Sequence, residues 1–464
     1  MMNESQNSKR FRLRIKFSLR FVLLLMFISA FPLAWLAGML AEYRRQTSFV
    51  DSVKVASGKS KLNDDYLDFF YDYQYANNEI RSGGFKKDRE PPGPKWLRSI
   101  FGELLFARVI RVVVCGDAFI EGVEFENATS IRSVDIRFCE NMDSLDSIES
   151  LKNLEYLAVK GCPKLQNIGA VGSMSRLRSL DLFHHSEESC LVTDWKPISQ
   201  LFALESLCMG WCPWEDFSII NKLTGLRGIV FDNCPNLNSL SGLANLKQLK
   251  TLVLYDAVEL RDFSELNLLT KLEELELTGV PDLQDLIFVN KLDNLQRIRL
   301  QSTKLQTLAG IESVKCLNCL TIEQSPIKDL AGIENALALT ELQCHQCKNL
   351  TDLTALSGHL KLELIWLAGC PNMESLQLPE RAPNLDRIFL DSMGIRSLDG
   401  FVRFTQLTRV DLNGCKRLKN IDALFSLPNL TEFDWHDCSG LDKKDVQRLK
   451  QKFPKALIRP GPDT

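Results

Sequence analysis

The sequence predicts an α/β solenoid preceded by one transmembrane helix. The solenoid would stack short parallel strands on one side and thin 3₁₀ or extended segments on the other. Three observations lead there. An apolar motif returns every 22 or 23 residues through most of the 464-residue chain. Between the motifs the apolar residues are spaced by three. Near the amino terminus, 21 residues from Phe21 to Ala41 carry no charge.

The uncharged run, FVLLLMFISAFPLAWLAGMLA, would span roughly 31 Å as a helix, about one hydrocarbon core. Lys9, Arg10, Arg12, Arg14, Lys16 and Arg20 precede it, and only Arg44 and Arg45 follow closely. That excess places residues 1–20 in the cytoplasm as a basic tail, 21–41 in the bilayer, and the rest outside the cytoplasm. A cleaved signal peptide is the alternative, but its apolar region is normally shorter and ends in a small-x-small site, which Trp35 and Leu40 spoil. Pro32 is placed to kink the span. The stretch RFRLRIKFSLRF before it suits an anionic leaflet.

Residues 42–108 have no clean period and read as a connector and amino-terminal cap. Phe49, Val50, Val53 and Val55 suggest a short helix leaving the membrane. LDFFYDYQY (67–75) is aromatic and extended in pattern, and RSGGFKKDREPPGP (81–94) is a turn-rich linker. A short amphipathic helix is expected over 94–106, with Trp96, Leu97, Ile100, Leu104 and Leu105 on its apolar side. ASGKS (56–60) ends like a phosphate loop, but Val53 stands where a glycine belongs and no apolar strand precedes it, so it is no nucleotide site.

From Ile131 the motif is apolar, two variable, apolar, one variable, apolar: Ile131/Val134/Ile136, then Leu154/Leu157/Val159, and so on to Leu430/Phe433/Trp435. There are fourteen copies, with one longer step of 27 residues between Leu177 and Leu204. Val109/Val112/Val114 is a degenerate opening copy. A fixed period near 22 is the signature of a solenoid. The alternating end of each motif makes a short strand with one buried face. In Leu237, Leu240, Leu243, Leu246 and Leu249 the spacing of three never drifts to four, as an α-helix would require. It fits 3₁₀ turns. These motifs resemble the leucine-rich-repeat family, in its short, internalin-like class of 22–23 residues, over 109–438. The resemblance implies a horseshoe with a concave parallel β-sheet.

Eight of the fourteen cysteines occupy one place, eight residues after the first apolar residue of a motif: Cys139, Cys162, Cys212, Cys234, Cys347, Cys370, Cys415 and Cys438. A thiol is a small hydrophobe and a weak donor, so it suits an inward position beside loop carbonyls. These are read as buried, reduced, structural thiols. Cys316/Cys319 and Cys344/Cys347 imitate a zinc spacing, but the register sends them in different directions.

No catalytic signature is present, and no cofactor is expected. His184, His185, Glu187, Glu188 and Cys190 cluster in the 183–195 insertion, where a metal or enzymatic site is the alternative to a solvated loop. Outward strand positions are mostly polar: Asp135, Asp181, Glu276, Arg299, Asp411 and Asp434. Leu364, Trp366 and Phe389 break that rule. Trp366 and Phe389 are equivalent positions of adjacent strands, about 4.8 Å apart, with Arg387, Asp391 and Arg409 around them. Aromatics with arginine make an interface hot spot, so these six residues are the candidate partner-binding set for a protein or peptide. Phe183, Trp211, Val230, Val253 and Tyr255 form a smaller patch.

After Cys438 the repeat stops, and 439–464 read as a cap and tail. Ser439 or Asp442 would cap a helix ended by Pro454, with Val446, Leu449 and Phe453 covering the last coil. The layout also resembles membrane-anchored leucine-rich-repeat proteins of planctomycete bacteria, through FSLRFVLLLMFISAFPLAW, YDYQY, PPGPKWLRSIFGELLFARVIRVV and LKQKFPKALIRP. It departs from them in the long 76–92 linker and in cysteine replacing asparagine in the ladder.

Composition agrees with a globular chain: 45% apolar and 25% charged. Net charge is −3, with eight basic and two acidic residues in 1–45 and 48 basic and 57 acidic beyond. The body, at −9, is unsuited to a nucleic-acid groove. The expectation is a non-enzymatic, single-pass cell-membrane protein presenting a recognition surface at the bacterial envelope. A structural component without a specific ligand is the other alternative.

Overall fold

The computed structural model describes residues 34, 37–52, 66–71, 95–101, 108–116, 125–183, 191–376 and 378–460. Among the described residues seventeen strands form one sheet. They are β1 (Tyr66–Tyr71), β2 (Val109–Cys115), β3 (Ser133–Arg137), β4 (Tyr156–Lys160), β5 (Ser179–Phe183), β6 (Ser206–Gly210), β7 (Gly228–Asp232), β8 (Thr251–Tyr255), β9 (Glu274–Thr278), β10 (Arg297–Gln301), β11 (Cys319–Glu323), β12 (Glu341–His345), β13 (Leu364–Ala368), β14 (Arg387–Asp391), β15 (Arg409–Asp411), β16 (Glu432–Trp435) and β17 (Leu457–Pro460). From β2 to β17 each strand pairs in parallel with the next, in register by one coil. β1 lies antiparallel on β2 and closes the amino-terminal edge.

The expected periodicities produce these elements. Strands bury alternate residues, as in β5, β7 and β9. On the opposite side, 3₁₀ turns of three to five residues sit where apolar residues recur by threes, such as Lys196–Gln200 and Leu243–Asn245. Among the described residues no coil carries an α-helix. Leu237, Leu240, Leu243, Leu246 and Leu249 are all buried, and the same holds down the stack in one continuous core. Each such side chain contributes roughly 1.5–3 kcal/mol, realised only when neighbouring coils stack. Coils approach so closely at these turns that Gly310, at φ 104°, has no substitute: a Cβ there would lie 2.2 Å from the Leu286 carbonyl oxygen.

A feature absent from the motif reading is the residue that ends each strand. Phe138, Trp211, Asn233, Asp256, Ser302, Gln324, Gln346, Ser392 and Asp437 all adopt left-handed backbone, with φ between 50° and 54°. Gly161, Gly279, Gly369 and Gly414 do so in the same column. The recurrence of Gly, Asn and Asp there is the sequence signal for it, because these residues tolerate positive φ best. A second ladder runs along the edge where strands begin. Asn153, Asn294, Asn384 and Asn429 donate their side-chain amides to the carbonyls of Thr129, Thr270, Leu360 and Thr405 in the preceding coil, at 2.8–3.2 Å.

Both ends of the core are covered. A helix over 37–52, α1, buries Phe49 and Val50 against the first coil. Phe49 meets the Phe125 ring at 5.7 Å, and Gln46 Oε1 accepts the Val109 N–H at 3.3 Å. The expected connector helix is α2 (Lys95–Phe101). Trp96, expected on its apolar side, is 64% exposed. At the other end, α3 (Lys443–Lys452) starts at Asp442, whose carboxylate accepts the Lys444 N–H at 2.8 Å. Val446 and Leu449 are buried, and Phe453 packs on the core.

Among the described residues no helix is long and apolar enough to cross a membrane. Most of the expected span 21–41 lies outside the described residues. The extended assignment beyond Tyr71 and the helix assignment beyond Phe101 lie outside them as well, as do His184, His185, Glu187, Glu188 and Cys190.

Candidate functional site

Consecutive registers bring the candidate residues together on the outward face of β12–β16. Trp366 pairs with Phe389 across β13 and β14, and Phe389 pairs with Asp411 on β15. The Trp366 and Phe389 rings meet edge to face at 5.7 Å and 82°. His345 joins from β12, its ring 4.6 Å from that of Trp366. The Arg409 guanidinium lies over Phe389, 5.1 Å from the centroid. The row His345–Trp366–Phe389–Arg409 therefore spans four strands, each ring half-buried by the next. The ring contact expected from strand spacing is present. The sequence reading lacked His345, although its column, two residues beyond the Trp366 position, was legible.

Polar partners fix the row. The Trp366 indole N–H donates to Asp391 Oδ2 at 3.0 Å. Arg409 donates to Asp411 at 3.0 Å and reaches Glu432 at 3.2 Å and Asp434 at 3.8 Å. Asp434 is also 3.9 Å from Arg459 on β17. Burial raises the Asp411 carboxyl above its ordinary value, against the pull of Arg409. Burial lowers the His345 imidazole, against the opposite influence of Glu323 and Asp391. Its Nε2 is buried, with no hydrogen-bond partner among the described residues.

Two candidates need correction. Leu364 lies on this face but is only 5% exposed, so it forms floor beneath longer neighbours and offers no contact surface. Arg387 turns to Asp386, 3.1 Å away, and it is Arg409 that lies over the Phe389 ring. Trp366, Phe389, Asp391 and Arg409 come together; Leu364 and Arg387 flank them.

The acids of this face also lie deeper than alternation implies. Asp135 is 1% exposed, clamped by Arg137 on its own strand and by Arg111 on β2 at 3.5 Å. Asp411 and Asp434 are likewise buried. Asp181 pairs with Lys160 at 2.6 Å. In the smaller patch Val253 is buried while Phe183, Trp211, Val230 and Tyr255 are half-buried. Burial and the neighbouring Glu276 push the Tyr255 hydroxyl up to about 12.

All eight ladder cysteines are buried. Cys139 Sγ donates to the Gly116 carbonyl at 3.1 Å, Cys347 to Ile322 at 3.5 Å, and Cys415 to Leu390 at 3.1 Å. Cys438 makes the same bond to Leu412. This is the thiol-to-carbonyl arrangement expected for that column. Burial pushes the Cys347 and Cys370 thiols up to about 11 and about 12, which keeps them protonated. In coils lacking cysteine, Thr303 and Ser325 share a hydrogen bond of 2.8 Å in the same column. Of the imitated zinc set, Cys316 is exposed, Cys319 half-buried, and Cys344 and Cys347 buried. Among the described residues no three His, Cys, Asp or Glu side chains are grouped to hold a metal.

Residues 203–327 match the family model described as a BspA type leucine rich repeat region, in six copies. Over 259 residues the chain is 30% identical to the disease resistance protein RPP5 of Arabidopsis thaliana, covering 54% of this chain and 17% of that protein. The chain thus spans under a fifth of the length of the curated relatives it matches. An internalin (inlF) of Listeria monocytogenes is similar in structure, with TM-score 0.50, 17% identity, and coverage of 73% of this chain and 93% of that one. So is the Leptospira interrogans LRR protein LIC12759, with TM-score 0.53, 20% identity, and coverage of 71% and 96%. The coil geometry, register and continuous core give this chain a leucine-rich-repeat solenoid fold similar to that of the internalin.

Proposed function

We propose that the protein recognises another protein or peptide on the outward sheet face of β12–β16, and that it performs no chemistry of its own. One observation carries this: a row of half-exposed aromatic rings, capped by Arg409 and held by Asp391, on a rigid sheet. Aromatic and arginine side chains on a preorganised surface supply hot-spot binding at low entropic cost. Charge indicates the partner's character. Arg409 stands among three carboxylates, Asp411, Glu432 and Asp434, with Arg459 at their edge. A partner segment presenting an aromatic or aliphatic anchor beside a basic side chain fits that surface. The same acidity argues against nucleic acid. Pull-down from envelope extracts with the wild type and with Trp366→Ala/Phe389→Ala tests it. Specific capture lost in the folded variant is expected. Unchanged capture sinks the reading and leaves a structural envelope role.

The protein is further read as a single-pass membrane protein with residues 1–20 cytoplasmic, 21–41 in the bilayer, a connector over 42–108, the coils of 109–438 extracytoplasmic, and a cap after 439. Supporting this are the uncharged run and the basic excess before it. Residues 37–41 of the expected span are helical, within the helix over 37–52 that packs on the first coil through Phe49 and Val50. The resemblance to anchored planctomycete proteins agrees. Resistance of the full chain to alkaline carbonate extraction, with the coils open to protease in spheroplasts, is the expected result.

A further inference from the structure

Beside β2–β4, where the strands begin, lies a cavity of about 250 Å³. Its wall includes Arg108, Arg132 and Arg176, with Ser130, Asn153 and Glu155. Among these residues Glu155 pairs with Arg132, at 3.7 Å, and Arg108 has a contact of its own. Arg176 is exposed and enters no ion pair among the described residues. The small polar residues between them are already fixed: Ser130 donates to the Val109 carbonyl at 2.8 Å, and Asn153 to that of Thr129 at 3.0 Å. The walls are therefore fixed, and Arg132 and Arg176 present two cationic groups against the single carboxylate of Glu155. The volume is below that of a drug-sized pocket and suits a small anion. Guanidinium forks suit phosphate oxygens in particular.

The position of the cavity selects among phosphates. Gln46 of α1 holds the backbone N–H of Val109, the neighbour of Arg108. Gln46 is five residues beyond Ala41, where the expected span ends, or about 7.5 Å along a helix. The headgroup layer of a leaflet is roughly 5–8 Å deep. On the anchored reading given above, on which this step rests, the cavity meets the bilayer at headgroup height.

We propose that this cavity binds the phosphate of an anionic phospholipid headgroup and so seats the first coils on the membrane. The site is remote from β12–β16 and leaves that face turned to its partner.

The test uses the full chain in detergent micelles, with native mass spectrometry reading bound lipid. Dioleoylphosphatidylglycerol, dioleoylphosphatidylcholine and inorganic phosphate are the probes. Saturable phosphatidylglycerol binding, roughly tenfold or more weakened in Arg132→Gln/Arg176→Gln, is expected, since each charged hydrogen bond is worth about that factor. Both arginines are exposed, so the variant keeps its fold, which thermal unfolding verifies. The basic residues 9–20 also attract anionic lipid, and the variant isolates the cavity from them. Equal binding of the two lipids, or no change in the variant, overturns the proposal. Inorganic phosphate binding as tightly as phosphatidylglycerol, and lost in the same variant, overturns the lipid source. Carbonate extraction reads the anchor separately: a chain that extracts, yet discriminates the lipids through these arginines, refutes the span and retains the cavity.

Discussion

The two ends of the outward sheet face use the same backbone and the same strand columns for opposite purposes. At β2–β3 one buried carboxylate, Asp135, is held by two arginines, Arg111 and Arg137. At β15–β16 one arginine, Arg409, is shared by three carboxylates, and its flat face rests on Phe389. The first arrangement gives its buried acid two cations and covers it from solvent. The second leaves negative charge and aromatic area in excess, and the proposed recognition rests on that excess. What distinguishes the two clusters is the ratio of charges around a buried acid, since both occupy the same columns of the same sheet.

The comparison is most sharply broken at the aromatic row. Trp366→Ala/Phe389→Ala is expected to weaken partner binding by roughly 2 kcal/mol or more, about 30-fold, with an intact fold. Titration of the captured partner by calorimetry checks it, and equal affinity would show the two ends to be alike. Next is Asp135→Ala, which strands two half-buried arginines and is expected to cost about 2 kcal/mol of stability in urea unfolding. Asp411→Ala should cost less than half as much, because Arg409 keeps Glu432 and Asp434. Equal costs would remove the distinction.

A smaller effect is expected from Cys415→Ala, about 1 kcal/mol, as the Leu390 carbonyl loses its donor. Under native conditions the exposed Cys316 should react with a thiol reagent before any ladder cysteine. The smallest effect concerns pH. The His345 imidazole is depressed in the folded state, so the unfolded chain takes up a proton first. Stability from this group is intact above about 6.5 and declines as pH falls below it. Asp411 is raised in the folded state and acts with the opposite sign: folding gains as pH falls through its titration. The difference between wild type and His345→Gln isolates the histidine, and a pH-independent difference would remove it from the row.

Much of this was legible beforehand for a definite reason. A repeat specifies one coil many times, so the strands, the 3₁₀ outer side and the inward thiols follow from the period alone. Adjacency of Trp366 and Phe389 also follows, because register in a solenoid is set by counting. The same counting did not reveal depth. Leu364 occupies an outward column but is covered by its neighbours, and Asp135 likewise sinks between arginines. Arg387 was near the rings in register, yet its side chain took the closer Asp386.

The sequence by itself determined that the chain stacks coils, where each strand lies, and which side chains enter the core, because periodic apolar spacing admits one stacking register. Tertiary structure alone decided which outward residues are sunk or offered, which carboxylate each arginine takes, and that three arginines from separate coils border one cavity. Those outcomes depend on side-chain reach between coils some 23 residues apart, and on competition among partners in space, which no linear spacing encodes.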